Sequence, residues 1–452
     1  MSLEKVEANL DMKKYCYILS LFLLFHCSKK DVFFPQIPTA TGELDIVKTF
    51  GGSKNDVANA VIKTIDGGYA VLGATQSADG DITDKLNDSF DLWLLKFNAE
   101  DTLLWSKTFG GTNSDKGNDI IQTSDGGFAV LGYSESNDED VTQNAGSQDF
   151  WVLKLTSEGN ITWQKSFGYV GADYGTTLIQ TNDNGYLLSG VIDVTASGGQ
   201  GNSRNSQRHA GGDIWTIKLD ASGTLQWSKY YGGSFTDTSY GVAKTDDNGF
   251  IMIGSSDSED VDINGNIGSY DFWAVRISST GSIVWEKSFG GTEIDEARAI
   301  TTTEDGNFMI VGDTRSSDNH VSINKGAADL WILKINPEGT ILWEKSFGGS
   351  SFDVARSISN TQDGGFLIAG SSRSADGDVA TNQGQNDAWV LKTNVTGDLQ
   401  WQRTIGGTEI DFCYDAVTLE NGKIVAVGES SSSNGNISEN KGFSDALIIK
   451  IK

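Results

Sequence analysis

The stretch that decides the fold reads WEKSFGGTEIDEARAITTTEDGNFMIVGDTRSS at residues 285–317 and WEKSFGGSSFDVARSISNTQDGGFLIAGSSRSA at residues 343–375. The second copy follows the first after 58 residues, and the same pattern fills nearly everything after residue 44. Its aromatic-Gly-Gly signal, or a close variant, begins at Phe50, Phe109, Phe167, Tyr231, Phe289, Phe347 and Ile405. A fixed period of this kind identifies a repeat architecture before any single residue is interpreted. The chain therefore contains seven copies of one structural unit.

Each copy predicts four short strands. In the sixth copy the strands are placed at residues 355–361, 366–372, 387–394 and 399–405, separated by a DGG turn, a 14-residue polar loop and a VTGD turn. Glycine accepts the positive φ of tight hairpin turns, and no segment carries a helical period over ten residues. Four antiparallel strands per copy, repeated seven times, predict an all-β, seven-bladed β-propeller over residues 44–452.

The two ends of the repeat array predict how the ring closes. Residues 44–50 match only the fourth strand of a copy, and residues 445–452 match only the third. We therefore expect the first segment to supply the missing outer strand of the last blade, which leaves no unpaired blade edge.

The tryptophans predict the core. All 12 fall at two repeat positions. The first position holds Trp93, Trp151, Trp215, Trp273, Trp331 and Trp389, and the second holds Trp105, Trp163, Trp227, Trp285, Trp343 and Trp401. Because such periodicity is typical of packing, we expect both sets to be buried.

The repeat pattern resembles a known group. The elements D-x-x-G-x-(F/Y)-x-(I/V)-x-G, D-x-W and G-x-x-x-W-x-K-x-(F/Y)-G-G are similar to bacterial β-propeller repeats of the SBBP type, and more closely to the Trp-rich version in lipoproteins of Bacteroidota. The resemblance covers about 90% of the chain. It implies a propeller outside the cytoplasm, and it implies no reaction and no catalytic residues.

The N-terminal segment predicts export and a lipid anchor. From Met12 the chain reads MKKYCYILSLFLLFHCSKKD, with two lysines, an apolar run and then Cys27. This is a signal-peptide layout, too short for a membrane span. Its resemblance to lipoprotein signals implies a signal over residues 1–26 that starts at Met12, lipidation of Cys27, a tether over residues 27–43 and an outer-membrane location. The alternative is an ordinary signal peptide with an incidental cysteine.

The net charge of the protein limits the classes of partner that are expected. The formal net charge is −27, so nucleic acid is an unsuitable partner and membrane association is expected through the lipid anchor only. An envelope protein, a peptide or a glycan remains as the partner of an expected monomer. Only two histidines follow residue 27, so a histidine-based triad or metal site is hard to assemble.

Two aspartate positions recur in all seven copies. The first comprises Asp56, Asp115, Asp173, Asp237, Asp295, Asp353 and Asp411, and the second comprises Asp91, Asp149, Asp213, Asp271, Asp329, Asp387 and Asp445. Sevenfold repetition favours structural hydrogen bonds at turns. The functional alternative is that the first set rings one mouth of the channel and binds a cation or a ligand.

The loop between the second and third strands carries a candidate calcium motif. Asp-x-Asp pairs, followed in three copies by asparagine, give the candidate ligands Asp138, Asp140, Asn144, Asp260, Asp262, Asn266, Asp376, Asp378 and Asn382. Alternating carboxylates with an amide oxygen suit Ca²⁺, although the pattern is not an EF-hand. The alternative is a solvated acidic turn.

The third copy departs from the pattern. Its loop at residues 193–213 is six residues longer than the corresponding loops and carries Arg204, Arg208 and His209. A basic loop on an acidic face is a candidate binding site, and the alternative is a tolerated insertion. The sequence thus favours a non-enzymatic binding or scaffold protein. The alternative function is a carbohydrate-active enzyme that uses carboxylates at the channel mouth.

Overall fold

The computed structural model describes residues 40–202 and 209–452, and within them the regular secondary structure is β-strand apart from one short helix. Twenty-eight strands form seven sheets of four. The predicted signal peptide, Cys27 and most of the tether lie outside the described residues, as do Arg204 and Arg208. No helix in the described part of the chain is both long and apolar enough to cross a membrane.

Blades 1 to 3 have regular strands and one inserted helical turn. Blade 1 contains β2 (Asp56–Lys63), β3 (Tyr69–Thr75), β4 (Asp91–Phe97) and β5 (Leu103–Phe109); blade 2 contains β6 (Asp115–Gln122), β7 (Phe128–Ser134), β8 (Asp149–Leu155) and β9 (Ile161–Phe167); blade 3 contains β10 (Tyr174–Gln180), β11 (Tyr186–Asp193), α1 (Val194–Ser197), β12 (Gly212–Leu219) and β13 (Leu225–Tyr231).

Blades 4 to 7 repeat the arrangement. Blade 4 contains β14 (Gly241–Lys244), β15 (Phe250–Ser256), β16 (Asp271–Ile277) and β17 (Ile283–Phe289); blade 5 contains β18 (Asp295–Thr302), β19 (Phe308–Thr314), β20 (Asp329–Ile335) and β21 (Ile341–Phe347); blade 6 contains β22 (Asp353–Asn360), β23 (Phe366–Ser372), β24 (Asp387–Thr393) and β25 (Leu399–Ile405); blade 7 contains β26 (Asp411–Thr418), β27 (Ile424–Ser430), β28 (Asp445–Ile451) and β1 (Leu44–Phe50).

The predicted propeller and its closure are confirmed. Every sheet pairs its strands antiparallel in chain order, and the last sheet runs β26-β27-β28-β1. Within it, Phe50 lies opposite Ala446 and Val47 opposite Ile449. The sixth copy differs from the prediction only at its ends: its first strand begins at Asp353, two residues early, because Asp353 and Val354 already pair with Ser372 and Ser371.

The first strand of each blade lines the central axis. These strands contact the first strands of both neighbouring blades all round the ring. Six of the seven carry a β-bulge three or four residues from their start, for example between Ala355 and Ser357 in β22. A bulge inserts one unpaired residue, which re-aims its side chain. Here that residue is at the strand nearest the channel.

The two tryptophan sets pack differently. The first set is buried, at 0–2% exposure, in the hydrophobic clusters. The second set is half-buried on the outer strands. There each ring covers a glycine turn of the next blade, as Trp105 covers Gly159, which leaves little room for a Cβ. The prediction of a core role holds for the first set, whereas the second set joins neighbouring blades at the rim.

Candidate functional site

The first aspartate set braces the turn that enters each blade. All seven side chains are 0% exposed. In every copy the carboxylate accepts a hydrogen bond of 2.6–2.7 Å from the amide four residues earlier, as Asp353 does from Gly349. In six copies it also accepts from a serine hydroxyl 21 residues later. These bonds are the structural alternative weighed above, and they leave the carboxylates inaccessible to a large partner.

The second aspartate set lies beside the first across each blade junction. In five copies the carboxylate accepts from the amide four residues earlier, as Asp329 does from Lys325 at 2.7 Å. Its other oxygen faces the glycine that precedes the next blade, and a Cβ on Gly348 would lie 2.4 Å from Asp329 and 2.9 Å from Asp353. The glycine therefore fits between two buried carboxyl groups.

Burial raises the pKa of these carboxyl groups. It raises the pKa of Asp91 and Asp237 to about 7, and that of Asp173, Asp271, Asp329 and Asp387 to about 6. The partner across the junction adds to the shift, as Asp353 does for Asp329. Because burial penalises the charged form, the protonated carboxyl group destabilises the folded protein less than the carboxylate does.

We expect the protein to become more stable as the pH falls from 8 to 5. Between the ordinary carboxyl pKa of 3.8 and the folded values of about 6 to 7, the folded chain binds more protons than the unfolded chain. Lower pH therefore favours the fold in this window. Calorimetric Tm values across the window test the sign.

A variant pair separates this effect from the general relief of net negative charge. Asp329→Asn is expected to flatten the pH dependence, because it removes one raised pKa. Asp363→Asn is the control: burial opposes ionisation of Asp363, yet hydrogen bonds from Thr361 and Lys392 lower its pKa overall. Equal slopes for Asp329→Asn and the parent protein would contradict the assignment.

The Asp-x-Asp loops clasp the Gly-Gly turns. The first aspartate accepts from the amide after Gly-Gly, as Asp376 does from Ser350 at 2.7 Å, and the second accepts from the first glycine, as Asp378 does from Gly348 at 3.1 Å. The fifth and seventh copies, in which the pair reads Asp-x-His and Asn-x-Asn, keep both bonds. Asn434 and Asn436 accept from Thr408 and Gly406 in the same way.

These bonds give the candidate calcium ligands another role. The side-chain oxygen of a neutral asparagine accepts the same backbone N–H bond as an aspartate oxygen does. The exchange therefore suits the bracing of a turn better than the binding of a cation. Asn144 and Asn382 also accept from Gly146 and Gly384 with their amide oxygens. Among the described residues, no group of three or more His, Cys, Asp or Glu side chains is arranged to bind a metal.

Chelation tests the calcium prediction directly. Because backbone amides already engage these oxygens, we expect the same Tm in excess EDTA and in millimolar Ca²⁺. A Tm that falls on chelation and returns with Ca²⁺, but not with Mg²⁺, would instead support calcium sites in the loops.

The described part of the third-copy loop packs onto its own blade. His209 is buried; its Nδ1 lies 2.5 Å from Asp213, and its ring meets that of Tyr230 edge-on. The Gly201 carbonyl accepts from Trp215 Nε1 at 3.0 Å, where other blades use a side chain of the outer strand. His209 is thus a packing residue, and the structure does not bring it to the surface as a binding residue.

The channel holds a set of residues that the sequence prediction missed. Six of these residues are the bulged residues of the first strands, and the seventh, Tyr240, holds the aligned position of blade 4. In blade order they are Asn59, Asn118, Thr176, Tyr240, Arg298, Arg356 and Tyr414. The two aspartate positions of the scaffold are identical in every copy, whereas this one changes from blade to blade. A signal was present: a varying, partly charged position within an otherwise constant strand.

The members of this set divide the channel into two sides. Asn59 and Asn118 donate to Gly117 and Gly175 of the next blade, at 2.8 and 2.7 Å, so blades 1 to 3 are clasped together. On the opposite side, Arg298 bonds Glu296 at 2.9 Å and lies 4.6 Å from the centre of the Tyr240 ring. The two sides therefore present different chemistry to the channel.

Comparisons with known proteins give limited likeness. No protein-family model matches the chain. A curated relative, the regulatory protein FlaEY of Caulobacter vibrioides, is 26% identical over 164 residues. The match covers 34% of this chain and 17% of that protein's length.

Solved structures are similar at low identity. A protein of unknown function from Bacteroides caccae is 11% identical with a TM-score of 0.39, covering 75% of this chain and 97% of that one. A gluconolactonase from Xanthomonas campestris is 8% identical with a TM-score of 0.34, covering 74% and 96%. The class assigned to this protein, a seven-bladed β-propeller, follows from its own strand pairing.

Proposed function

We propose that the protein is a non-enzymatic binding propeller of the bacterial envelope, held at the outer membrane by a lipid on Cys27. One observation carries the binding role: the carboxylates repeated in every blade are used by the scaffold, whereas the channel residues differ between blades. A repeated acidic pair would serve a reaction only if it met a substrate, and these pairs are buried behind hydrogen bonds. The partner is an envelope protein, a peptide or a glycan.

Turnover measurements test the binding role against the carbohydrate-active alternative. The full-length protein is incubated with a panel of polysaccharides, beside the Asp56→Asn and Asp411→Asn variants. We expect no hydrolysis by any of them. Hydrolysis by the parent protein that one aspartate variant abolishes, while its Tm stays near the parent value, would overturn the proposal in favour of an enzyme.

The membrane anchor has its own test. Metabolic labelling with a clickable fatty acid is expected to mark the parent protein and not Cys27→Ser, and the unlabelled variant is expected in the soluble envelope fraction. Equal labelling of both proteins would place the lipid on another residue. The absence of label from both would contradict the lipid anchor.

A further inference from the structure

Arginines concentrate on one side of the channel although the protein is strongly acidic. Six arginines lie in the described residues, and four of these belong to blades 5 and 6 near the axis: Arg298, Arg315, Arg356 and Arg373. Of the acidic groups around them, Glu296 and Asp313 contact Arg298, at 2.9 and 3.8 Å. Within the described ranges, the only carboxylates within ion-pair distance of these four guanidinium groups are the two beside Arg298.

Arg356 differs from Arg298 in having no such partner. Among the described residues, no carboxylate lies within ion-pair distance of Arg356 and no group hydrogen-bonds it, and its Nε is buried. The residue as a whole is half-buried. A guanidinium group partly withdrawn from water without an ion pair is costly, and native proteins keep one where it has a role.

The position of Arg356 places it in the channel. It is the bulged residue of β22, on the strand nearest the axis. Arg298 and Tyr414 are the bulged residues of the innermost strands of blades 5 and 7, and Tyr240 holds the aligned position of blade 4. Arg298 also stacks 4.6 Å from the centre of the Tyr240 ring. Arg298, Arg356, Tyr240 and Tyr414, here termed the channel cluster, therefore line the same side of the central channel.

An exposed aromatic ring with two guanidinium groups beside it lies at the start of β22. Phe352 is 39% exposed and precedes β22, and the guanidinium groups of Arg315 and Arg373 lie 5.9 and 5.6 Å from its ring centre. Phe352 and Arg356 are four residues apart, which is about 13 Å along a strand. A ligand that passes Phe352 would thus reach the channel cluster after about 13 Å, which is on the order of the length of a small organic molecule.

We propose that the channel cluster binds the carboxylate of a small organic monoanion, with Arg356 as its cation. This inference deepens the binding function proposed above and rests on it. Guanidinium pairs with carboxylate through two parallel N–H···O bonds. Glu296, Asp313 and Glu429 border the same space, and Glu429 already accepts from Tyr414 at 2.7 Å. A second negative charge on the ligand would be repelled by them, so the site disfavours a phosphate dianion.

Ligand-observed NMR titrations of the full chain test the proposal. The probes are benzoate, lactate and glucuronate, with inorganic phosphate as the comparator and chloride to match ionic strength. We expect at least one monocarboxylate to bind, and Arg356→Met to weaken it tenfold or more, while Arg356→Lys retains part of the affinity. Arg403→Met is the matched control, since Arg403 is exposed on the outer strand of the same blade.

The Tm of the same variants separates binding from a structural role. Removing a half-buried cation that lacks an ion pair is expected to leave the Tm of Arg356→Met unchanged or raised. A lowered Tm would mean that the guanidinium stabilises the channel, and this would overturn the site. So would the absence of carboxylate binding, equal binding by Arg356→Met, or tighter binding of phosphate than of every carboxylate.

Capture of partners from envelope extracts runs in parallel. Capture without carboxylate binding would overturn the channel site and leave the binding function standing. The absence of both would overturn both proposals.

Discussion

Replacing Gly370 with alanine is expected to destabilise the propeller by about 3–4 kcal/mol, because the new Cβ has no space. It would lie 1.9 Å from the carbonyl oxygen of Val354, 2.9 Å from the carbonyl carbon and 3.0 Å from the Ala355 Cα. All three are backbone atoms of β22, so relief requires the strand itself to shift. That shift would displace the bulge that carries Arg356.

A second glycine of the same blade supplies the control. Gly364 lies in the hairpin turn with φ of +79°, and a Cβ there meets nothing closer than 3.8 Å. Gly364→Ala is therefore expected to cost only about 1 kcal/mol, from backbone strain alone. Urea unfolding compares the two variants. A midpoint for Gly370→Ala equal to that of Gly364→Ala would show that the strands separate easily and would contradict the close approach.

The same requirement explains why the architecture was readable from the sequence. The glycines equivalent to Gly370 are Gly73, Gly132, Gly190, Gly254, Gly312 and Gly428, and at each a Cβ would lie 1.6–2.1 Å from a carbonyl oxygen of the first strand or, in blade 4, of the segment just before it. Because every blade has the same close approach, every copy of the repeat has glycine at this position. Period, strand pattern and closure were predictable for this reason.

The candidate site was less predictable, because function here depends on differences between copies. Asp-x-Asp pairs attracted a calcium interpretation, yet the oxygens that suit Ca²⁺ also accept from backbone amides, as Asp376 does from Ser350. The sequence alone does not distinguish calcium binding from hydrogen bonding to backbone amides. The bulge that turns Arg356 toward the channel is likewise a property of pairing with β23, which no local pattern in β22 encodes.

The second large effect is expected when β1 is removed. A chain that begins at residue 51 loses six paired positions along β28, from Leu44 opposite Ile451 to Phe50 opposite Ala446. It also loses the bond from Trp401 Nε1 to the Ala40 carbonyl, at 3.0 Å. At about 1 kcal/mol for each hydrogen bond, the cost is on the order of 5 kcal/mol before the apolar contacts of Leu44 and Val47 are added.

The exposed edge of β28 gives this loss a distinct signature. An unpaired, apolar strand edge is a template for pairing with another chain, so the truncated protein is expected to self-associate as well as to melt at lower temperature. A chain that begins at residue 40 is the control and should remain monomeric in light scattering.

Adding the missing strand in trans tests whether the loss of β1 alone causes both effects. A synthetic peptide of residues 40–50 is expected to restore the Tm and the monomer, because it carries the apolar alternation and the backbone groups that β28 requires. A scrambled peptide of the same composition should restore neither, since it no longer places apolar side chains at the positions of Leu44 and Val47, which pack in the same cluster as Trp401. If the chain starting at residue 51 is monomeric and melts as the control does, the last blade is stable with three strands, and closure by β1 is not what holds the ring together.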